Sequence, residues 1–64
     1  MKHFDLLVKT NTILAHAFPA PTDHESLYAD AIESMVLALA DHTPAEHLLN
    51  AVQTALDAYE NNVL

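Results

Sequence analysis

Glycine is absent from all 64 residues of the chain. Tight hairpins and phosphate-binding loops use glycine where the backbone needs a positive φ or a close approach to a ligand. The absence of glycine therefore disfavours both β structure and a phosphate-binding loop. The breaks in the sequence pattern fall at prolines instead, at Pro19, Pro21 and Pro44. These prolines divide the chain into three segments.

Each segment carries apolar residues at helical spacing. We expect helices over about residues 2–17, 23–41 and 44–61 of a single domain, 1–64. The first helix is the weakest of the three because residues 10–12, Thr-Asn-Thr, are poor helix formers in a row. The turn after the second helix is too short to separate it from the third, so these two helices should form an antiparallel hairpin. The predicted fold is an all-α, three-helix domain.

The second and third helices have clear start signals. Thr22 and Glu25 fit a capping box, in which each side chain accepts a hydrogen bond from the backbone of the other residue. Thr43 is a natural N-cap for the third helix, where Pro44 would occupy the first helical position and Glu46 would complete a second box. Both starts are therefore predicted from local chemistry alone.

The second helix has more apolar surface than one chain of this size should be able to bury. Its apolar positions cover about 220° of the helix circumference, whereas one core contact needs about 100°. One strip of this surface contains Leu27, Ala31, Met35 and Ala38, and it is expected to pack within the chain. The other strip would then form an exposed apolar patch of a kind that monomers usually avoid.

A twofold homodimer would cover this second strip without any additional sequence. Two alternatives stay open: a monomer in which the second helix is packed on both flanks, and a permanent complex with a different protein. The residues predicted to form the interface come from the first and second helices: Leu6, Ile13, Ala29, Ile32, Val36 and Ala40.

Composition limits the classes of partner and the cellular location. The chain has nine acidic residues, two lysines and no arginine, and its net charge is −7. Nucleic acids and anionic membrane surfaces would be repelled, because binding to both depends on Lys and Arg. There is no cysteine, and no apolar run approaches the roughly 18 residues of a membrane span. With 52% apolar residues, the chain is expected to be a folded, soluble, cytoplasmic protein.

The histidines are the residues that most suggest a chemistry. There are five of them, and His42 lies four residues before Glu46, with Asp41 and His47 nearby. Such a group is able to hold a metal ion, but His42 precedes the predicted helix start and solvated turn and cap residues are the better explanation, so no metal site and no cofactor are predicted. Acidic neighbours of the histidines also raise the hypothesis of a pH-sensitive assembly.

No enzyme is predicted, because Ser26 and Ser34 lack a recognisable arrangement of His and Asp, and the usual nucleophile turns need glycine or cysteine. The function predicted is that of a small acidic interaction or regulatory protein, acting through protein–protein contacts as a homodimer. One alternative is an acidic mimic of nucleic acid that inhibits a DNA- or RNA-binding protein. A small metal-binding domain using His42, Glu46 and His47 is the other.

Overall fold

Three helices make up the part of the chain that the computed structural model describes, which is the backbone of residues 3–63 and the side chains of residues 3–62. Helix α1 is Phe4–Ala17, α2 is Asp23–Leu39 and α3 is Ala45–Val63, and these residues contain no strand. The all-helical prediction is confirmed. The observed ends differ from the expected ones by at most two residues. The expected start of the first helix, Lys2, lies outside the described residues.

Helix α1 is continuous through the threonines that were expected to weaken it. The Thr10 hydroxyl donates to the Leu6 carbonyl and the Thr12 hydroxyl to the Val8 carbonyl, both at 2.8 Å. Each hydroxyl therefore finds an acceptor one turn back along its own helix. This bond allows Thr10 to be completely buried, at 0% exposure, with its polar atom satisfied.

The start of α1 is joined to the end of α2 by a side-chain contact. His3 precedes the helix in the left-handed region, with φ 68° and ψ 20°, a region in which His is among the enriched residues. Its side chain does not cap α1. Instead, His3 Nε2 lies 2.8 Å from Asp41 Oδ1.

Helix α2 begins with the capping box that the sequence predicts. The Glu25 amide donates to the Thr22 hydroxyl at 3.2 Å, and the Thr22 amide donates to Glu25 Oε1 at 2.9 Å. Two backbone amides that the first turn of a helix leaves without partners are thereby satisfied.

Replacing Thr22 with alanine is expected to lower the free energy of unfolding by about 1 kcal/mol, because the Glu25 amide loses its acceptor. In a domain of this size, that loss lowers the melting temperature by about 4–8 °C. Thermal and urea unfolding followed by circular dichroism measure it. Thr12→Ala is the matched control, since Thr12 is an exposed threonine inside a helix and should show no loss. Equal stabilities of the two variants would contradict a stabilising role for the box.

The connection between α2 and α3 is made without a left-handed residue. The Leu39 carbonyl accepts from the amides of both His42 and Thr43, at 3.0 Å each, and Ala40 keeps right-handed helical angles. Helix α3 then begins at Ala45, one residue later than expected, with the Leu48 amide donating to the Pro44 carbonyl at 3.2 Å. A short connection of this kind needs no glycine.

The core lies where the three helices meet, and each pair of helices is in contact. Partly buried side chains, including Tyr28 and Tyr59, pack around it. Among the described residues, no helix is both long enough and apolar enough to cross a membrane. The buried apolar residues of the core are Leu6, Leu14, Phe18, Ile32, Val36, Leu48, Val52 and Leu56.

Candidate functional site

The residues predicted to bind a partner lie inside the single chain. Leu6, Ile32 and Val36 belong to the buried core, where a partner cannot reach them without unfolding. The other three predicted interface residues, Ile13, Ala29 and Ala40, are partly buried and pack against the core. The strip of α2 that was expected to be exposed is therefore the one that packs against α1 and α3.

The strip of α2 that was expected to pack within the chain is exposed instead. Leu27 is 69% exposed and Met35 61%, and Ala31, Ala38 and Leu39 are exposed as well. We call these five residues the α2 band. Leu27, Ala31, Met35 and Leu39 recur every four positions and Ala38 follows Met35 by three, so all five lie along one side of the helix. The wide apolar surface of α2 is thus divided between a core side and a solvent side.

A groove with a volume of about 240 Å³ runs between α2 and α3, next to the α2 band. We call it the α2–α3 groove. It stays open on its α3 side because Ala51 and Ala55 end at Cβ and leave space above the helix backbone. Three members of the α2 band, Ala31, Met35 and Leu39, form part of its wall. The full lining consists of Tyr28, Ala31, Ile32, Met35, Val36 and Leu39 from α2 and Leu48, Ala51, Val52 and Ala55 from α3.

An aromatic cluster adjoins the α2–α3 groove at Tyr28, which is one of its lining residues. Tyr28 stacks on Tyr59, with ring centroids 4.5 Å apart and an interplanar angle of 30°. Phe18 meets Tyr59 edge-on, at 5.6 Å and 80°. The Tyr28 hydroxyl donates to the Ala55 carbonyl at 2.8 Å. Tyr28 carries the only polar side chain among the lining residues, and all the others are apolar. The groove therefore offers mainly apolar contacts to a ligand or partner.

A second pair of apolar side chains is exposed on α1. Phe4 is 57% exposed and Val8 lies one turn further along, also exposed. The buried side of this helix is formed by Leu6, Thr10 and Leu14. The sequence pattern alone places Phe4 and Val8 on one apolar face of the helix with Leu14, and Leu6 and Ile13 on a second, offset strip. In the structure Thr10 is buried between Leu6 and Leu14, with its hydroxyl bonded to the Leu6 carbonyl, so the side of the helix that carries Leu6 faces the core.

The histidines and acids of the metal-binding alternative are at the surface. His42, Glu46 and His47 are exposed, and they lie around the start of α3. Within residues 3–63, no group of three or more His, Asp or Glu side chains is placed to hold a metal ion. Among the described residues, His3 makes a side-chain hydrogen bond, with Asp41. A metal site therefore gains no support from the geometry.

No family model, curated protein or solved structure matches this chain. Its function has to be inferred from its own residues and their arrangement. The α2 band and the α2–α3 groove are the features from which that inference starts.

Proposed function

We propose that this protein is a non-enzymatic interaction protein that acts through protein–protein contacts as a homodimer. The observation that carries the proposal is the exposure of Leu27 and Met35 on α2, with Leu39 beside them. Burying a side chain of this size completely stabilises an assembly by about 1.5–3 kcal/mol. Apolar side chains scattered singly over a surface need no explanation, but a continuous strip beside an apolar groove is typical of an interface.

We also infer that α2 and α3 form an antiparallel hairpin, as the short connection suggests. The contacts of Tyr28 with Ala55 and Tyr59 support it, because they join the first half of α2 to the second half of α3. In such a hairpin the α2 band and the small residues of α3 share one face of the molecule. This face is the surface that we assign to dimerisation.

Replacing Met35 with glutamate tests the proposal. The carboxylate would be desolvated in the dimer but hydrated in the single chain. The dissociation constant of the dimer should therefore rise by roughly 100-fold or more, while the helix content stays the same. Sedimentation equilibrium over a range of concentrations, together with far-UV circular dichroism, measures both properties. Leu37→Glu is the control, because Leu37 is exposed on α2 but outside the groove lining.

The unmodified chain has to be dimeric in the same experiment. Single chains at high micromolar concentration would refute the homodimer, and with it the role proposed for the α2 band. If Met35→Glu and Leu37→Glu raise the dissociation constant of the dimer equally, the effect comes from the added charge and not from its position. That result would contradict the placement of Met35 in the interface.

A second candidate function is supported by the acidic surface. Asp23, Asp30, Glu46, Asp57 and Glu60 are all exposed. A surface of this sign attracts basic proteins, so the chain is a candidate mimic of nucleic acid that occupies a DNA- or RNA-binding groove. This proposal requires binding to basic proteins that weakens steeply with salt. Binding that is independent of salt would refute it.

A further inference from the structure

A groove between α1 and α2 differs from the α2–α3 groove because it carries charge. We call it the α1–α2 groove, and its volume is about 410 Å³. The core residues Leu14 and Phe18 form its base, whereas Asp30 and Glu33 belong to its wall. No Lys, Arg or His is found among the described residues that line it. The groove therefore combines an apolar base with negative charge that no lining residue compensates.

The two acidic residues of this wall have no partner within the described part of the chain. Asp30 is exposed and Glu33 is partly buried. Within residues 3–62, neither carboxylate takes part in a hydrogen bond or an ion pair. The two residues lie three positions apart on α2, a spacing at which like charges repel each other. A cation from outside the chain would relieve this repulsion and pair with both carboxylates.

The α1 side of the groove continues into exposed apolar residues. Asn11 and Ala15 line the groove on this helix. Counting back from Asn11 by three and then by four positions gives Val8 and Phe4, which therefore lie along the same side of α1. Phe4 is 57% exposed and Val8 is 46% exposed.

The α2 side continues in the same way. Leu37 follows Glu33 by four positions, so it lies on the same side of α2, and it is 45% exposed. His3 at the start of α1 contacts Asp41 just after α2, so the two helices run antiparallel. The exposed apolar residues of both helices therefore lie at the same end of the groove. We call Phe4, Val8 and Leu37 the apolar end of the groove, and none of them belongs to the α2 band.

We propose that the α1–α2 groove binds a basic amphipathic helix of a partner protein. Apolar side chains of that helix cover the apolar end of the groove, and its Lys or Arg side chains pair with Asp30 and Glu33. An amphipathic helix presents both kinds of side chain along one face and docks with that face in a groove. The proposal goes beyond the homodimer, because it gives a partner to a surface that lies outside the α2 band.

Charge decides which occupant fits the groove. A second copy of this chain carries a net charge of −7 and has only two lysines, so it is repelled. Nucleic acids and anionic membrane surfaces are repelled for the same reason. A basic helix is attracted by the whole chain, and its cations then meet two unpaired carboxylates beside the apolar end. Added salt should weaken this binding.

A synthetic helix tests the proposal. The probe is an alanine-based peptide of about 14 residues, which spans about 21 Å as a helix. Two leucines in one half of the peptide and two arginines in the other half lie on the same face. In a ¹⁵N NMR titration of the full chain, the amide shifts should be saturable and confined to the sides of α1 and α2 that border the groove. A peptide with glutamates in place of the arginines should not bind.

Neutralising the groove measures the contribution of its charge. The double variant Asp30→Asn, Glu33→Gln should raise the dissociation constant of the arginine peptide by about three- to tenfold, because two ion pairs are lost. Asp57→Asn, Glu60→Gln makes the same chemical changes at exposed positions of α3 and is the matched control. It should leave the dissociation constant nearly unchanged, although the net charge changes equally.

Truncating the apolar end measures the other half of the contact. Phe4→Ala, Leu37→Ala should raise the dissociation constant of the same peptide by about tenfold, since the apolar area that the peptide covers is lost. Leu27→Ala, Met35→Ala removes exposed apolar side chains from the α2 band and should have little effect. Circular dichroism checks that all four double variants keep their helix content.

The results either support or overturn the α1–α2 groove as the binding site. Absence of saturable shifts at millimolar arginine peptide overturns the proposal, and so does equal binding of the glutamate peptide. Shifts centred on the α2 band, or spread over the acidic residues of α3, place the binding elsewhere and overturn it as well. Equal effects of a groove variant and its matched control do the same. The homodimer is tested separately, by the mass of the unmodified chain without peptide.

Discussion

Replacing Val36 with glutamate is expected to unfold the chain. Val36 is only 3% exposed and belongs to the core formed by all three helices. A carboxylate placed there would lose its hydration without gaining a partner, at a cost of several kcal/mol. A domain of 64 residues has a total stability of about 3–10 kcal/mol. Loss of the helical far-UV circular dichroism signal at room temperature is the expected observation.

Leu37→Glu is the matched control for this change. It adds the same charge one position along the same helix, where the side chain is 45% exposed. That variant should remain folded, with stability close to that of the unmodified chain. A Val36→Glu chain that stays helical and merely dissociates would show that Val36 lies between two chains, as the sequence pattern predicted, rather than in the core of one.

Truncating Leu56 to alanine is expected to have the next largest effect. Leu56 is 2% exposed, and its neighbours in the core come from all three helices. The loss of buried surface together with the cavity left behind should cost about 2–5 kcal/mol. The urea midpoint should fall accordingly, and the variant should be partly unfolded without denaturant if the chain is near the lower limit of stability for its size.

Leu37→Ala makes the same truncation at an exposed position, where little packing is lost. Its urea midpoint should differ only slightly from that of the unmodified chain. Measurements at low protein concentration keep dimerisation out of the comparison, because association adds apparent stability. Similar losses in the two leucine variants would contradict the burial of Leu56.

Local chemistry in the sequence was sufficient to predict the helices. Proline positions and the Thr22–Glu25 capping box locate the helix ends because they depend on residues within one or two turns. The side of α2 that faces the core was not predictable in the same way. Both strips of α2 are apolar and both have helical spacing, so periodicity cannot say which one meets α1 and α3.

The choice between the strips depends on tertiary packing. The strip with the β-branched residues Ile32 and Val36 faces the core, and the strip with the more flexible Leu27 and Met35 faces the solvent. On α1, the buried side runs from Leu6 through Thr10 to Leu14, so a threonine occupies a core position. A threonine whose hydroxyl is bonded to its own helix can pack as an apolar residue.

The stacked tyrosines give the molecule an internal optical reporter. The chain has two tyrosines and no tryptophan, so its near-ultraviolet absorption comes mainly from Tyr28 and Tyr59, whose rings are 4.5 Å apart. At this spacing the electronic transitions of the two tyrosine rings couple. Because one ring belongs to α2 and the other to α3, the coupling is lost when these helices separate. The near-ultraviolet dichroism thus follows the contact between these helices directly, with no added dye or label.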